Sequence, residues 1–96
     1  MSTKNYIFLD DFCEYHSIKL SFINELGEHE LLKITRQSSR PCIPEEQVPL
    51  LEQMVRLHRD LDINIPGIEV ALNLINKLEN HKRRILELEN RLKRFE

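Results

Sequence analysis

From Leu74 onward the chain sets Leu74, Leu78, His81, Ile85, Leu88, Leu92 and Phe95 at alternating spacings of four and three. That is an a/d heptad seam, and neither Gly nor Pro occurs after Gly67 to interrupt it. A continuous helix from Ile65 to Glu96 would be roughly 45 Å long at 1.5 Å per residue. Ninety-six residues supply one small domain and an extension, too little chain to cover such a helix. The seam therefore needs a partner helix, either folded back from the same chain or supplied by a second copy.

The flanking charges bear on that choice. With Leu78, Ile85 and Leu92 at a, the g positions are Lys77, Arg84 and Arg91, and the e positions are Lys82, Glu89 and Glu96. Parallel pairing sets Arg84 against Glu89 and Arg91 against Glu96, but Lys77 against Lys82. Antiparallel pairing brings the basic g positions together, so the charges lean towards parallel by tenths of a kcal/mol per contact. His81, at d, is the one polar residue in the seam. A residue that tunes register suits it better than a metal ligand.

The remainder reads as a run of short elements. Tyr6-Ile7-Phe8 is β-prone, and Asp10 or Asp11 is placed to cap a short helix through about Tyr15. His16-Ser17-Ile18 is turn material, and a second helix is expected from Lys19 to Leu26, with Gly27 as its stop. Leu31 to Thr35 alternates as a strand. Gln37 to Pro41 forms a turn, and Cys42-Ile43 returns as the second strand of a hairpin. A third helix, regular from about Pro49, carries apolar Leu50, Leu51, Met54, Val55, Leu57 and Leu61 with His58 at the edge of that face. The predicted fold class is mostly α: a winged helix-turn-helix domain over 1–64 with a small β-hairpin, then a long coiled-coil-forming helix over 65–96. Met1 to Lys4 is expected to be loose.

Composition excludes several functions. Of the residues, 41% are apolar and 31% charged, with mean hydropathy −0.44, and no apolar run approaches the length of a membrane span. A cytoplasmic protein without a leader is the expectation. Cys13 and Cys42 lie far apart without a CxxC pair, as reduced structural thiols would. Residues 1–48 hold five Lys and Arg against eight Asp and Glu, whereas 49–96 hold nine against eight. The acid lies on the globular part, the reverse of a nucleic-acid footprint. No G-x-S-x-G elbow, phosphate-cradling glycine loop or convergent His and acid set is present, so no catalytic residue, metal or cofactor is expected. The chain reads as a binding protein.

The order of elements resembles the MerR-like fold and, within it, the CbpM family of bacterial chaperone modulators. The resemblance is carried by Arg56-Leu57 through Leu61, by Pro66-Gly67-Ile68, Val70-Ala71-Leu72 and Leu74, by Phe12-Cys13 with Ile18, by Asn24-Glu25, and by Glu89 to Phe95. It implies binding to the J-domain of a DnaJ-like co-chaperone of the CbpA type and inhibition of that co-chaperone. The homodimer through the seam residues is expected from the seam itself, since exposing Leu78, Ile85, Leu88 and Leu92 would leave an apolar stripe that soluble monomers avoid. J-domains present a basic helix to DnaK, which makes Asp10, Asp11, Glu14, Glu25, Glu28 and Glu30 the expected partner-binding set. Taken singly, each of these acids reads more simply as a solvated or capping residue. The rival reading is a MerR-type DNA-binding regulator, in which the second helix enters the major groove. At the positions where such a helix carries Arg and aromatic residues stand Asn24, Glu25 and Leu26, and Glu25 would meet phosphate. A third reading is a coiled-coil adaptor docking through Lys82-Arg83-Arg84.

Overall fold

The computed structural model describes residues 5–95. Met1 to Lys4 and Glu96 lie outside the described residues, and with them the expectation of a loose N-terminus. The chain divides into two units, Met1–Ile65 and Pro66–Glu96.

In the first unit, strand β1 (Tyr6–Phe8) leads without a linker into helix α1 (Leu9–His16). Leu9 and Phe12 are buried while Cys13 and His16 are partly so, a single stripe at helical spacing. Phe8 occupies the N-cap without a side-chain cap, so neither Asp10 nor Asp11 caps the helix. The carboxylates lie inside the first turn, where the dipole favours them. Ser17 ends α1 in the left-handed conformation (φ 53°), and the Ile18 N–H turns back to the Cys13 carbonyl at 3.1 Å. Helix α2 (Leu20–Glu28) follows and buries Phe22, Ile23 and Leu26.

Gly27 does not stop α2. The helix runs one residue further, and the chain reverses at Glu30, whose φ is 60°. The glycine instead permits a close approach: a Cβ at position 27 would stand 2.7 Å from Cδ1 of Ile34. The expected strand over Leu31 to Thr35 begins only at its last residue. Leu32 turns inward and is buried, and the Lys33 N–H is tied to Oε1 of Gln47 at 2.9 Å.

Strands β2 (Thr35–Gln37) and β3 (Arg40–Pro44) form the hairpin. Gln37 pairs with Arg40, leaving a two-residue loop, Ser38-Ser39, with φ of 52° and 63°. Two positive φ angles are what a type I′ loop requires. The β-prone Tyr6–Phe8 supplies a third strand whose pairing the sequence does not announce: β1 pairs antiparallel to β3, with Phe8 opposite Cys42, giving the order β1-β3-β2. An isolated two-stranded wing would be marginal, and the added strand ties it to the start of α1. After a 3₁₀ turn at Glu45–Gln47, helix α3 (Val48–Leu61) buries Leu51, Met54 and Val55. These three, with Leu9, Ile23, Leu26, Cys42 and Ile43, form the centre of the core. His58 stacks on Phe22 at 4.2 Å between ring centroids, and its Nδ1 lies 3.1 Å from the Ile63 carbonyl oxygen. It is a satisfied boundary histidine. Asp62, at φ 53°, terminates α3.

The second unit is formed by helix α4 (Ile65–Arg94) from its second residue onward, and the helix's 30 residues span about 45 Å. Pro66 falls in the first turn, where its missing N–H leaves no intrahelical bond unmade.

Candidate interaction surfaces

The outer side of α1 is made by four residues. At 100° per residue Asp10, Asp11, Glu14 and Tyr15 fall on the arc opposite Leu9 and Phe12, and all four are exposed, Tyr15 to 86%. Tyr15 meets the edge of His16, which in turn stacks on Phe12 at 4.1 Å. The tyrosine ring is thus braced at one side and open at the other.

Two of these acids already have a partner. Arg40, at the start of β3, donates from Nη2 to Asp10 Oδ1 at 2.7 Å and from Nε to Asp10 Oδ2 at 3.1 Å. Its Nη2 also lies 3.3 Å from Asp11 Oδ2, and the guanidinium rests 3.9 Å above the Phe8 ring. The forked bond is the geometry that favours Arg over Lys. The hydrogen bond from Arg40 holds the Asp10 carboxyl below its ordinary range, and the same bond raises Arg40. A depressed carboxyl stabilises the fold above its unfolded pKa, and that contribution is lost as pH falls through the folded value. Replacing Arg40 with Ala is expected to return Asp10 to the usual carboxylate range in an NMR titration. An Asp10 midpoint that does not move would contradict the pairing.

Helix α2 exposes Ser21, Asn24, Glu25 and Glu28 and contains no basic residue. Glu25 and Glu28 occupy its C-terminal turns, where the helix dipole disfavours negative charge by a few tenths of a kcal/mol each. Glu30 is exposed in the left-handed turn that follows. Glu25 also lines a groove of about 620 Å³ with Lys19, Phe22, His58, Arg59 and Asp62 among others.

The cations near the helix-turn-helix are largely engaged within the fold. Arg59 on α3 donates from Nη2 to the carbonyl oxygens of His16 and of Ser17, the latter at 3.0 Å, satisfying the C-terminal end of α1. Arg36 donates to the Ser39 carbonyl at 2.9 Å, across the hairpin loop. Arg40 is held as described. The roles of Arg40 and Arg59 join residues 30 to 43 positions apart, beyond the reach of any spacing rule. The exposure of Tyr15 also escaped the pattern, because Tyr suits either side of a short helix.

The structure therefore separates the six expected acids: Asp10 and Asp11 face Arg40, Glu14 shares their side of α1, and Glu25, Glu28 and Glu30 lie on or just after α2. Among the described residues, no three His, Cys, Asp or Glu side chains are grouped to hold a metal ion, and no helix is long and apolar enough to cross a membrane.

On α4, Leu74, Leu78, Ile85, Leu88, Leu92 and Phe95 are 44–89% exposed, and His81 is exposed among them. From Leu74 onward the seam's apolar side is uncovered within the single chain, whereas Ile65 and Ile68 in the first turn are buried. Arg83 donates to Asn80 Oδ1 at 2.6 Å, and Arg84 lies 3.5 Å from Glu87, both within the helix.

A helix-turn-helix carrying a small antiparallel sheet and followed by a long helix defines a MerR-type regulatory fold, and residues 7–90 match the family described as MerR HTH family regulatory protein. The chain is 32% identical over 83 residues to the chaperone modulatory protein CbpM of Coxiella burnetii (strain Dugway 5J108-111), covering 84% of this chain and 77% of the relative. It is 26% identical over 84 residues to the protein of the same name from Pseudomonas putida (strain W619), covering 86% and 83%, and 24% identical over the same shares to that of Pseudomonas entomophila (strain L48). No solved structure matches. The chain belongs to the CbpM family of chaperone modulatory proteins, within the MerR-type helix-turn-helix group.

Proposed function

We propose that this protein is a chaperone modulator, a binding protein and not an enzyme, that holds the J-domain of a CbpA-type, DnaJ-like co-chaperone in the cytoplasm and inhibits its co-chaperone activity. The relatives' name supports the chaperone context. The observation that carries the choice of partner charge is α2: its exposed side offers Glu25 and Glu28 and not one cation. Glu14 adds to that sign on α1. Acids in the last turns of α2 oppose its dipole, and sites that break a local rule are where a function outweighs local preference. A basic helix laid against such a surface gains association rate from opposite charge, while the apolar neighbours supply the lasting affinity.

Reading of DNA by the same helix is disfavoured on the same grounds. Glu25 and Glu28 would approach phosphate, and Arg36, Arg40 and Arg59 already have internal acceptors. We further propose that α4 pairs with α4 of a second copy. The exposed seam from Leu74 to Phe95 covers about 32 Å of helix, and parallel pairing matches Arg84 with Glu89 and Arg91 with Glu96.

The test is capture and inhibition. The full chain should retain the host's DnaJ-like protein in a pull-down and suppress that protein's stimulation of the DnaK ATPase. In gel shifts at moderate salt it should form no sequence-specific complex in the nanomolar range usual for specific DNA binding. Failure to inhibit any of the host's J-domain proteins, or such a DNA complex, would overturn the reading.

A further inference from the structure

His81 interrupts an otherwise aliphatic and aromatic seam at its third position. On its own helix the residues one turn away are Lys77, Leu78, Arg84 and Ile85: two cations, two aliphatics and no carboxylate. Arg84 is partly offset by Glu87 at 3.5 Å, and among the described residues no ion pair or hydrogen bond joins His81 to another side chain. Once two seams meet, His81 is enclosed from both sides. In parallel pairing it faces His81 of the second copy, flanked by that copy's Lys77 and Lys82. In an antiparallel arrangement that sets it opposite Ile85, the flanking residues of the second copy are Lys82 and Arg84. In both arrangements the charged groups around this layer are cations.

We infer that His81 makes the pairing of α4 a pH-sensitive contact, closed while the imidazole is neutral and opened when it becomes charged. The inference rests on the reading that α4 pairs with a second copy. A neutral imidazole in a seam costs a modest desolvation and fixes register, as polar a or d residues do. A charged one adds one positive charge per chain to a layer that holds only positive charge and has lost its water. Among side chains, histidine is the one whose charge change lies closest to neutral pH, which sets the pair of conditions for the test. For a regulator of chaperone activity, the consequence is a dimer that loosens when the surroundings acidify.

Sedimentation of the full chain at pH 8.0 and pH 5.5, with circular dichroism to confirm an unchanged helix content, reads this directly. The dimer dissociation constant is expected to rise at least tenfold at the lower pH. The His81→Leu chain should be a tighter dimer with the same dissociation constant at both values. The His81→Lys chain, which carries the charge permanently, should be weakened at pH 8.0 to about the level of the parent at pH 5.5. An unchanged dissociation constant in the parent, or a full pH response persisting in His81→Leu, would overturn the switch while leaving the dimer standing. A monomer at every pH and concentration would instead end the self-pairing reading, and the switch with it.

Discussion

A chain carrying Glu14→Lys, Glu25→Lys and Glu28→Lys together is expected to lose J-domain affinity by about two orders of magnitude and to stop suppressing DnaK stimulation. Three reversals change the surface by six charge units and set like charge against a basic helix, which costs several kcal/mol when the contact is close. The variant leaves Asp10, Asp11 and Arg40 alone, so the junction between α1 and the sheet is undisturbed. The substitutions also suit the helices. Glu14 lies in the second half of α1, Glu25 and Glu28 lie in the last turns of α2, and lysine is favoured near a helix C-terminus. Loss of binding in this variant thus reports on the surface and not on unfolding. In the parent chain the association rate should fall with added salt, as for exposed charges screened beyond about 8–10 Å. Full inhibition by the reversed chain would move the contact off these acids, and Tyr15 on α1 would be the next surface to test.

The second large effect is expected at Ile85. It lies near the middle of the seam at an a position and is 54% exposed in the single chain. In the proposed dimer Ile85→Asp would put a carboxylate from each copy into a layer closed to water, where each uncompensated ion costs several kcal/mol. The dimer dissociation constant should rise a thousandfold or more. Circular dichroism should show nearly the parent's helix content, because the first unit keeps its own core of Leu9, Ile23, Leu26, Ile43, Leu51 and Met54. A parent chain that sediments as a monomer even at high concentration would remove the basis of this expectation.

The two longer helices were legible because period 3.6 repeats enough times in each to be unambiguous. Leu51, Met54 and Val55 in α3 are buried as their spacing implies, while Leu50 and Leu57 are half-buried and Leu61, in the last turn of the same expected face, is exposed; α4 follows its uninterrupted seam. The sheet was legible only in part. Ser38-Ser39 lies within the expected turn, but β1 is three residues long and its partner is more than thirty positions away. No local pattern encodes that pairing. The same pairing places Phe8 beside the strand that begins at Arg40, so the Arg40 cluster with Asp10 was equally out of reach. Gly27 shows the opposite failure, a strong local signal with a different cause. It reads as a helix stop and is in fact the space into which Ile34 fits. Of the candidate surface, the acidity was legible from composition. Which acids remain unpaired was not, because that depends on where distant arginines come to rest.

The joints of the first unit carry one more consequence. Ser17, Glu30, Ser38, Ser39 and Asp62 all hold positive φ, and no described glycine does. A left-handed L-residue carries a penalty of about 1–2 kcal/mol relative to the right-handed region. Against this, a side chain at a joint restricts the denatured chain by about 0.4–1 kcal/mol relative to glycine. The penalty is the larger of the two, so these side chains cost some stability where glycine would not. What they give in return is a narrower range of backbone angles at each corner, stiff elbows in place of free hinges. A chain with stiff corners holds the outer sides of α1 and α2 at a fixed angle, so a docking helix meets a surface already in position and little ordering entropy is left to lose on contact.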